Sequence, residues 1–259
     1  MDIDIIKKTM DKNNFYITIL AGGLGKRMNS SLPKILHEVN GIPMIVKIIN
    51  EVIKLNPFKI LIIVGKYKDI IDETITKYIN INNIEYVIQE TALGTGHAIL
   101  CSLNHLDNDG INLIVNGDTP MLTYETLNDI KQFFVSNNYK LLITSINLKD
   151  PFGCGRIILN NNIFEKIVEE KDSNLEQKKI TLINCGMYIA TNKILKKYIP
   201  LIKNENIQQE FYLTDIVEIY KIITNKNIGL YIMDSTKELE IININTKKQL
   251  DELNKILIE

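Results

Sequence analysis

The chain has little of what would place it in a membrane, outside the cell or on nucleic acid. Its 259 residues include no apolar run as long as a membrane span, and Asp2 and Asp4 interrupt any signal peptide. Its 30 Lys and Arg against 31 Asp and Glu leave a formal net charge of −1, so no basic field would attract nucleic acid or an anionic membrane. We therefore expect a cytoplasmic location and neither a nucleic-acid nor a membrane partner.

Cysteine and arginine are both scarce. Cys101, Cys154 and Cys185 are odd in number and lack metal-ligand spacing, so we expect reduced thiols. Two arginines stand beside 28 lysines, which means that lysine supplies a plain positive charge in this chain. Arg27 and Arg156 are therefore candidates for positions that need a rigid, bidentate guanidinium, unless both have simply survived on the surface.

Hydrophobic periodicity predicts alternating strands and helices in the first half of the chain. Strands are expected at 15–21, 59–65, 84–88, 111–118 and 140–146, with helices at 43–55, 68–79, 95–103 and 124–135. Thr95 is placed to cap the third of these helices. Strands separated by helices imply right-handed crossovers and a parallel sheet covered on both faces. Ligands in such folds bind beyond the carboxyl ends of the strands.

The pattern becomes more antiparallel after residue 150. A hairpin is expected at 155–170 and a further strand at 180–190, followed by helices around 191–198 and 213–223, a strand at 229–233 and a terminal helix from about Asn245. No segment has the length of an interdomain linker. We predict a single α/β domain over residues 1–259, with a nucleotide-binding half at about 15–146 and a second half at about 147–259.

The segment "LAGGLGKRM" (20–28) joins three glycines to two cations directly after the first strand. Glycines let backbone N–H groups approach a bound oxyanion or base edge, and Lys26, Arg27 and Lys34 add positive charge. It is not a P-loop, because Arg27 stands where Ser or Thr is needed, and it lacks the third glycine of a dinucleotide fingerprint. A glycine-rich turn can also be purely structural.

Two further loops carry polar groups at predicted strand ends. In "GDTP" (117–120), Asp118 is suited to a divalent cation, or equally to a cap or Asx-turn before the next helix. In "QETALGTGHAIL" (89–100), Gln89 offers a donor–acceptor amide for a base edge, and the glycines expose N–H groups at a helix N-terminus. A lone histidine such as His97 is more often structural than catalytic.

In the second half, neutral polar groups are mixed with carboxylates, a combination that suits a hydroxyl-rich ligand because each sugar hydroxyl both donates and accepts. The candidates are Gly155, Arg156, Glu169, Asn184, Gly186 and the segment "EFYLTD" (210–215). Each of them alone is also a plausible turn or surface residue.

These motifs together resemble a known family. "LAGGLGKRMNSSLPKILHEVNGIPMI" is similar to the opening signature of sugar-1-phosphate nucleotidyltransferases. "QETALGTGHAIL", "FGCGRII", "IVEEKD", "INCGMYIA" and "EFYLTD" resemble the N-acetylglucosamine-1-phosphate uridyltransferases in particular. The resemblance runs in order over nearly the whole chain. It implies a Rossmann-like, three-layer α/β/α nucleotide-diphospho-sugar transferase fold with a mixed, mainly parallel sheet. It also implies UTP and N-acetylglucosamine-1-phosphate as substrates and Mg²⁺ as cofactor.

The resemblance also implies a role for each matching residue. The nucleotide would be held by Leu20, Ala21, Gly22, Gly23, Gln89, Gly94 and Thr95. The catalytic residues would be Arg27 and Lys34, which bind the triphosphate, and Asp118, which ligates Mg²⁺. The second metal ligand would be Asn243 or Asn245, and the following "KKQL" favours Asn245. The sugar-phosphate site would be formed by Gly155, Glu169, Asn184 and Thr214, which contact the ligand, with Tyr212 close by.

Several positions depart from the family pattern. Asn116 replaces a usual aromatic residue, Asn243 a usual glycine, and Glu170 stands where histidine is common. No hexapeptide repeats occur up to Glu259, so the fused acetyltransferase of bacterial members is expected to be absent. Three alternatives stay open: a hexose-1-phosphate transferase using UTP or dTTP, an inactive nucleotide-sugar-binding regulator, and a dehydrogenase, which the missing third glycine disfavours. The sequence leaves the oligomeric state open.

Overall fold

Strands and helices alternate through the chain in the order that the hydrophobic periodicity predicts. The computed structural model describes residues 15–23, 25–161 and 163–257, so Asp2 and Asp4, together with the side chain of Lys26, lie outside the described part. The strands are β1 (Phe15–Leu20), β2 (Glu38–Val39), β3 (Ile42–Pro43), β4 (Lys59–Val64), β5 (Ile84–Ile88), β6 (Ile111–Asn116), β7 (Leu141–Asn147), β8 (Arg156–Asn160), β9 (Ile163–Val168), β10 (Leu182–Thr191) and β11 (Gly229–Ile232). The α-helices are α1 (Met44–Val52), α2 (Lys68–Tyr78), α3 (Thr95–Ser102), α4 (Tyr124–Ser136), α5 (Asn192–Tyr198), α6 (Asp215–Thr224) and α7 (Lys247–Ile256).

Nine of these strands form one mixed sheet in the order β11-β7-β10-β6-β1-β4-β5, and the β8–β9 hairpin pairs with β10. The pairs β6–β1, β1–β4, β4–β5 and β7–β11 are parallel, whereas β10 runs antiparallel to both of its neighbours in that order. The expected mixed, mainly parallel sheet is confirmed. Because β10 inserts between β6 and β7, the sheet runs continuously through both halves of the chain.

Helices cover both faces of the sheet, which is why its central strands are apolar along their whole length. In β4, Ile60, Ile62 and Val64 pack into one core cluster with residues of α1, α2 and α4. Leu61 and Ile63 of the same strand pack into the opposite cluster with residues of α3, α5 and α6. The alternation of side chains along a strand thus produces the three-layer arrangement. None of the described helices is both long enough and apolar enough to cross a bilayer.

The strand register brings the ends of β1, β4 and β6 to one level. Leu20 pairs with both Ile63 and Asn116, so the loops that follow these strands begin side by side. The backbone N–H of Gly117 then donates to the carbonyl of Leu20 at 2.9 Å. The two polar loops therefore meet at the carboxyl edge of the sheet, as the topology predicts.

The N-terminus of α3 differs from the expectation. Thr95 is the first residue of the helix rather than its cap, and Gly94 occupies the cap position with φ of 114°. The Thr95 hydroxyl instead accepts a hydrogen bond from the backbone N–H of Leu213 at 3.0 Å. The predicted cap is wrong because the segment before α6 crosses this helix end and takes the hydroxyl as its own acceptor.

Candidate active site

The opening loop is folded tightly against the strand ends. The Ala21 backbone N–H donates to the carbonyl of Ile63 at 2.9 Å. Gly25 has φ of 60°, and a Cβ there would lie 2.7 Å from the Cβ of Lys34. Gly25 is therefore required both by its left-handed conformation and by the close approach of Lys34.

A cluster of two cations and two oxygen-bearing side chains lies where this loop meets the end of β6. The Lys34 ammonium forms an ion pair with the Asp118 carboxylate and donates to the Asn245 amide oxygen at 2.9 Å. A guanidinium nitrogen of Arg27 donates to the same Asn245 oxygen at 3.0 Å. The structure thus gathers four predicted residues that lie up to 218 positions apart in the chain.

Asn245 reaches the cluster because the chain returns beside Asp118 just before α7. The backbone N–H of Ile244 donates to the Asp118 carbonyl at 2.9 Å. Ile244 is fully buried and packs in one cluster with Met28, the neighbour of Arg27, and with Leu250 and Leu253 of α7. A capping box at Thr246 begins the helix. Apolar packing therefore fixes the position of the polar side chain beside it.

Within the described part of the chain, Asp118 neither caps α4 nor accepts a hydrogen bond from a following backbone N–H, as an Asx-turn would require. The cap of α4 is Thr123, whose hydroxyl accepts from the Thr126 N–H at 3.3 Å. The Asp118 side chain is 15% exposed, and its partner in the structure is the Lys34 ammonium. The carboxylate is therefore directed into the polar cluster.

The donor set of this cluster fits a divalent cation. The Lys34 ammonium already lies between the Asp118 carboxylate and the Asn245 amide oxygen, so both oxygens converge on a positive charge. No group of three or more His, Cys, Asp or Glu side chains with metal-binding geometry occurs in residues 15–23, 25–161 and 163–257. Two protein oxygens suffice for Mg²⁺, which usually keeps several waters and shares its remaining positions with substrate phosphates.

A pocket of about 680 Å³ opens above the strand ends and contains this cluster. It is lined by Leu20, Ala21, Gly22, Gly23, Arg27, Lys34, Ile35, Gln89, Ala92, Gly94, Thr95, Ala98, Asn116, Asp118, Glu169, Glu210, Asn243 and Asn245. Every residue predicted to bind the nucleotide, the triphosphate or the metal is in this set. The structure therefore gathers all of them around one cavity.

A second pocket of about 180 Å³ adjoins the first on the side of the β8–β9 hairpin. Gly155, Glu169, Asn184 and Thr214 line it, as the resemblance implies for the sugar-phosphate site. The two pockets share Leu20, Thr95, Asn116, Glu169 and Asn243 as lining residues. They therefore form one connected cavity with a wider and a narrower part.

The narrower pocket carries polar groups that are held in fixed orientations. Glu169 accepts a hydrogen bond from the Thr214 hydroxyl at 3.1 Å. Burial raises the pKa of Glu169, and the Thr214 hydrogen bond opposes that rise. The Asn184 amide donates to the Tyr188 oxygen at 2.7 Å, while its own oxygen accepts from the Gly186 N–H at 3.1 Å. These contacts leave the pocket with a preset pattern of donors and acceptors.

Tyr212 is placed apart from the other predicted sugar residues. It is 8% exposed, and its hydroxyl accepts from Gln208 at 2.7 Å. It lines a third cavity, of about 580 Å³, on the far side of Glu169 and Thr214. The structure therefore brings Tyr212 close to the narrower pocket without making it part of the pocket wall.

Arg156 braces the loop beside the narrower pocket. It is 1% exposed, donates to the carbonyl of Cys154 and pairs with Glu170 at 2.8 Å. Glu170 also accepts from the Gly153 N–H at 3.2 Å, so its departure from the family pattern serves this ion pair. Cys154, like Cys101 and Cys185, is a free thiol, as predicted.

Two asparagines lie at the junction of the two pockets: Asn116, to which the sequence assigns no role, and Asn243, the alternative to Asn245 as second metal ligand. Asn116 and Asn243 line both pockets, and the Asn243 oxygen is buried with no hydrogen-bond partner among the described residues. The sequence signal was present, since both asparagines are departures from the family pattern. Their position at the junction depends on the β6–β10 pairing and on the return of the chain before α7.

Comparison with known proteins agrees with this geometry. The model of the family described as "MobA-like NTP transferase domain" matches residues 17–169. A protein of Acanthamoeba polyphaga mimivirus named "Probable UDP-N-acetylglucosamine pyrophosphorylase" is 52% identical over 251 residues, which cover 96% of this chain and 98% of that protein. "Bifunctional protein GlmU" of Clostridium botulinum is 38% identical over 90% of this chain but only 50% of its own length. The chain thus spans about half the length of such bifunctional relatives.

Solved structures share the fold. A structure titled as UDP-glucose pyrophosphorylase complexed with UDP-glucose superposes with a TM-score of 0.73 at 17% identity, over 95% of this chain and 98% of that one. A putative glucose-1-phosphate thymidylyltransferase from Bacillus anthracis gives a TM-score of 0.69 at 18% identity, over 93% and 94% of the two chains. The three-layer fold is therefore that of nucleotide-diphospho-sugar transferases.

Proposed function

This chain belongs to the nucleotidyltransferase family with a MobA-like NTP transferase domain, and we propose that it transfers the uridylyl group of UTP to N-acetylglucosamine-1-phosphate. The products are UDP-N-acetylglucosamine and pyrophosphate. The viral relative, which is 52% identical along almost its whole length, carries the name of this activity. We expect the protein to act in a reducing, cytoplasm-like compartment, because its three cysteines are free thiols.

The observation that carries the proposal is the connected cavity with its charged cluster. The wider pocket offers glycine-rich backbone and the Gln89 amide to a nucleotide, and the narrower pocket offers Glu169 and Asn184 to a sugar. Arg27 and Lys34 lie on the wall of the wider pocket, where a triphosphate would extend. A binding protein for sugar nucleotides would not need two cations and a carboxylate at the same point.

The proposed chemistry is a direct displacement at phosphorus. A phosphate oxygen of the sugar phosphate forms a bond to the α-phosphorus of UTP, and the bond from that phosphorus to the bridging oxygen of the β-phosphate breaks. Pyrophosphate leaves with the electron pair. The attacking oxygen is already anionic, so the reaction needs neither a general base nor a covalent enzyme intermediate.

Repulsion between two polyanions is the main obstacle to this reaction. The guanidinium of Arg27 and the ammonium of Lys34 offset the repulsion and stabilise the negative charge on the leaving group. Arg27 can present two parallel N–H donors to a phosphate, which an ammonium cannot. Holding both substrates in adjoining pockets supplies the remainder of the acceleration through orientation.

Asp118 and Asn245 would hold Mg²⁺, which supplies Lewis-acid polarisation of the phosphate oxygens when it is bound. The Lys34 ammonium now occupies the point on which these two oxygens converge. Lys34 would therefore exchange its contact with Asp118 for a contact with the substrate phosphates. Its flexible stem suits that movement.

A panel assay tests the proposal. Pyrophosphate release is measured for the purified protein with UTP, dTTP, CTP or GTP, each combined with N-acetylglucosamine-1-phosphate, glucose-1-phosphate or galactose-1-phosphate in the presence of Mg²⁺. We expect the highest kcat/KM for UTP with N-acetylglucosamine-1-phosphate. A higher value for a hexose-1-phosphate lacking the N-acetyl group would replace the proposed substrate. Tight UDP-sugar binding without turnover of any pair would identify a regulator instead.

A further inference from the structure

Gln89 and His97 form a hydrogen-bonded pair at the edge of the wider pocket. Gln89 directly follows β5 and is 6% exposed, and its backbone N–H donates to Val64 at 2.8 Å. Its side-chain nitrogen lies 3.1 Å from the Gly94 carbonyl oxygen and 2.9 Å from Nδ1 of His97. His97 lies on the first turn of α3 and is not among the described residues that line either pocket. It can therefore act on a ligand only through Gln89.

The orientation of the Gln89 amide follows from the chemistry of its partners. The Gly94 carbonyl oxygen can only accept a hydrogen bond, so the amide nitrogen, and not the amide oxygen, must face it. That nitrogen carries two hydrogens, and the second is directed to Nδ1 of His97. Nδ1 must then be an acceptor, which places the His97 proton on Nε2 and leaves the ring neutral. Both N–H groups of the amide are thereby used within the protein.

The remaining polar atom of the amide is its oxygen, which faces the glycine-rich loop. A Cβ added to Gly22 would lie 3.1 Å from Oε1 of Gln89, and Gly22 itself lines the wider pocket. The pocket thus presents an acceptor to a bound base. Uracil has a ring N–H that can donate to it, whereas cytosine carries an acceptor at the equivalent ring nitrogen.

We propose that His97 is a positioning residue that holds the Gln89 amide with its oxygen toward the base and thereby favours uracil over cytosine. The inference rests on the proposed function, because it assumes that the wider pocket holds the base of a nucleoside triphosphate. His97 adds a second acceptor beside the Gly94 carbonyl, so the amide is fixed at two points. With His97 removed, only the contact with the Gly94 carbonyl opposes rotation of the amide, so its oxygen is held toward the ligand less firmly.

Two substitutions of His97 by side chains of similar size distinguish positioning of the Gln89 amide from simple filling of space. His97→Asn retains an acceptor oxygen near the position of Nδ1, whereas His97→Leu retains bulk and removes the acceptor. We expect His97→Leu to raise the KM for UTP about tenfold, the effect of one hydrogen bond, and to narrow the preference for UTP over CTP. The KM for N-acetylglucosamine-1-phosphate and the melting temperature should stay near the wild-type values. His97→Asn should lie within about threefold of the wild type for UTP.

The wild-type protein provides a second measurement that does not depend on the variants. Calorimetric titration with UTP and with CTP, in the presence of Mg²⁺, should give at least about tenfold weaker binding of CTP. Equal affinity for UTP and CTP would overturn the inference. An unchanged ratio of UTP to CTP turnover in His97→Leu would also overturn it. Equal increases in the KM for UTP and in the KM for N-acetylglucosamine-1-phosphate would do the same. If the wild type binds no pyrimidine triphosphate, the proposed function fails first, and the two failures are distinguishable.

Discussion

Replacing Asp118 by asparagine separates a role in the reaction from a role in the fold. Asp118→Asn keeps the size of the side chain and an oxygen that can accept from Lys34, but it removes the negative charge. The two side chains are 15% and 13% exposed, so their ion pair is neither fully buried nor at the surface. Since a hydrogen bond to Lys34 remains possible, the free energy of unfolding should fall by only about 1 kcal/mol. That corresponds to about 2–4 °C in Tm for a chain of this size.

The expected effect of the same change on turnover is much larger. A metal ion contributes several kcal/mol of charge stabilisation in the transition state, and each 1.4 kcal/mol is a factor of ten in rate, so the loss should reach about 1,000-fold in kcat. Asp118→Asn also replaces the carboxylate that would ligate the metal ion with a neutral amide, which is a weaker ligand. We therefore expect weaker binding of Mn²⁺, followed by its paramagnetic signal, as a readout that is independent of turnover.

Asp107 provides a matched control near the opposite end of the same strand, β6. It precedes β6, and its carboxylate accepts from the Tyr16 hydroxyl at 3.1 Å and from the Gly110 N–H at 2.6 Å. Asp107→Asn cannot accept both hydrogen bonds with the same geometry. We expect it to lower Tm by several degrees, about 1–3 kcal/mol in free energy of unfolding, and to leave kcat within about twofold of the wild type.

The pair is assayed by pyrophosphate release and by thermal unfolding of the same preparations. We expect Asp118→Asn to lose turnover and keep its Tm, and Asp107→Asn to lose Tm and keep its turnover. An Asp118→Asn protein that unfolds many degrees earlier and retains its kcat would refute the assignment. The carboxylate would then be a structural partner of Lys34.

Four further substitutions probe other parts of the cavity and its surroundings. Arg27→Lys keeps the positive charge but loses the two parallel N–H donors of the guanidinium, so kcat should fall about tenfold or more. An unchanged kcat would mean that a point charge suffices at this position. Glu169→Ala and Asn184→Ala should each raise the KM for the sugar phosphate at least about tenfold more than that for UTP. Equal increases would indicate a role in folding. Burial, reinforced by the nearby Glu169, raises the pKa of Asp215 to about 6, so stability should fall as pH rises from about 4 through 6. Asp215→Asn should flatten that fall in Tm against pH, and an unchanged profile would contradict the shift.

The strand and helix order could be predicted because the relevant signals are local. Apolar runs at 59–65 and 111–118 mark strands buried on both faces, and the alternation with helices determines which end of the sheet binds ligands. That rule places the opening loop and Asp118 at the ligand-binding edge, whereas their roles in phosphate and metal binding are implied only by the resemblance. The assignment of Asn245 needed more, since only the packing of Ile244 brings it beside a residue far away in the chain.

The errors and omissions have a common physical cause, namely contacts made by distant segments. Thr95 has the local signature of a cap, but the Leu213 N–H uses its hydroxyl. The same segment explains Gly94 and Gly96, since a Cβ at either position would lie within 2.9 Å of the Phe211 oxygen. Periodicity along one segment carries no information about which other segment crosses it. Tyr212, on that segment, lines the adjoining cavity and not the narrower pocket, and its proximity to the sugar phosphate stays a prediction.

The most direct test of uridylyl transfer traces the attacking oxygen. N-acetylglucosamine-1-phosphate with ¹⁸O in its non-bridging phosphate oxygens is incubated with the protein, UTP and Mg²⁺, and both products are analysed by mass spectrometry. Direct attack on the α-phosphorus predicts UDP-N-acetylglucosamine that carries all of the label and pyrophosphate that carries none. Label in pyrophosphate, or UTP consumed without any labelled UDP-N-acetylglucosamine, would contradict the proposed function.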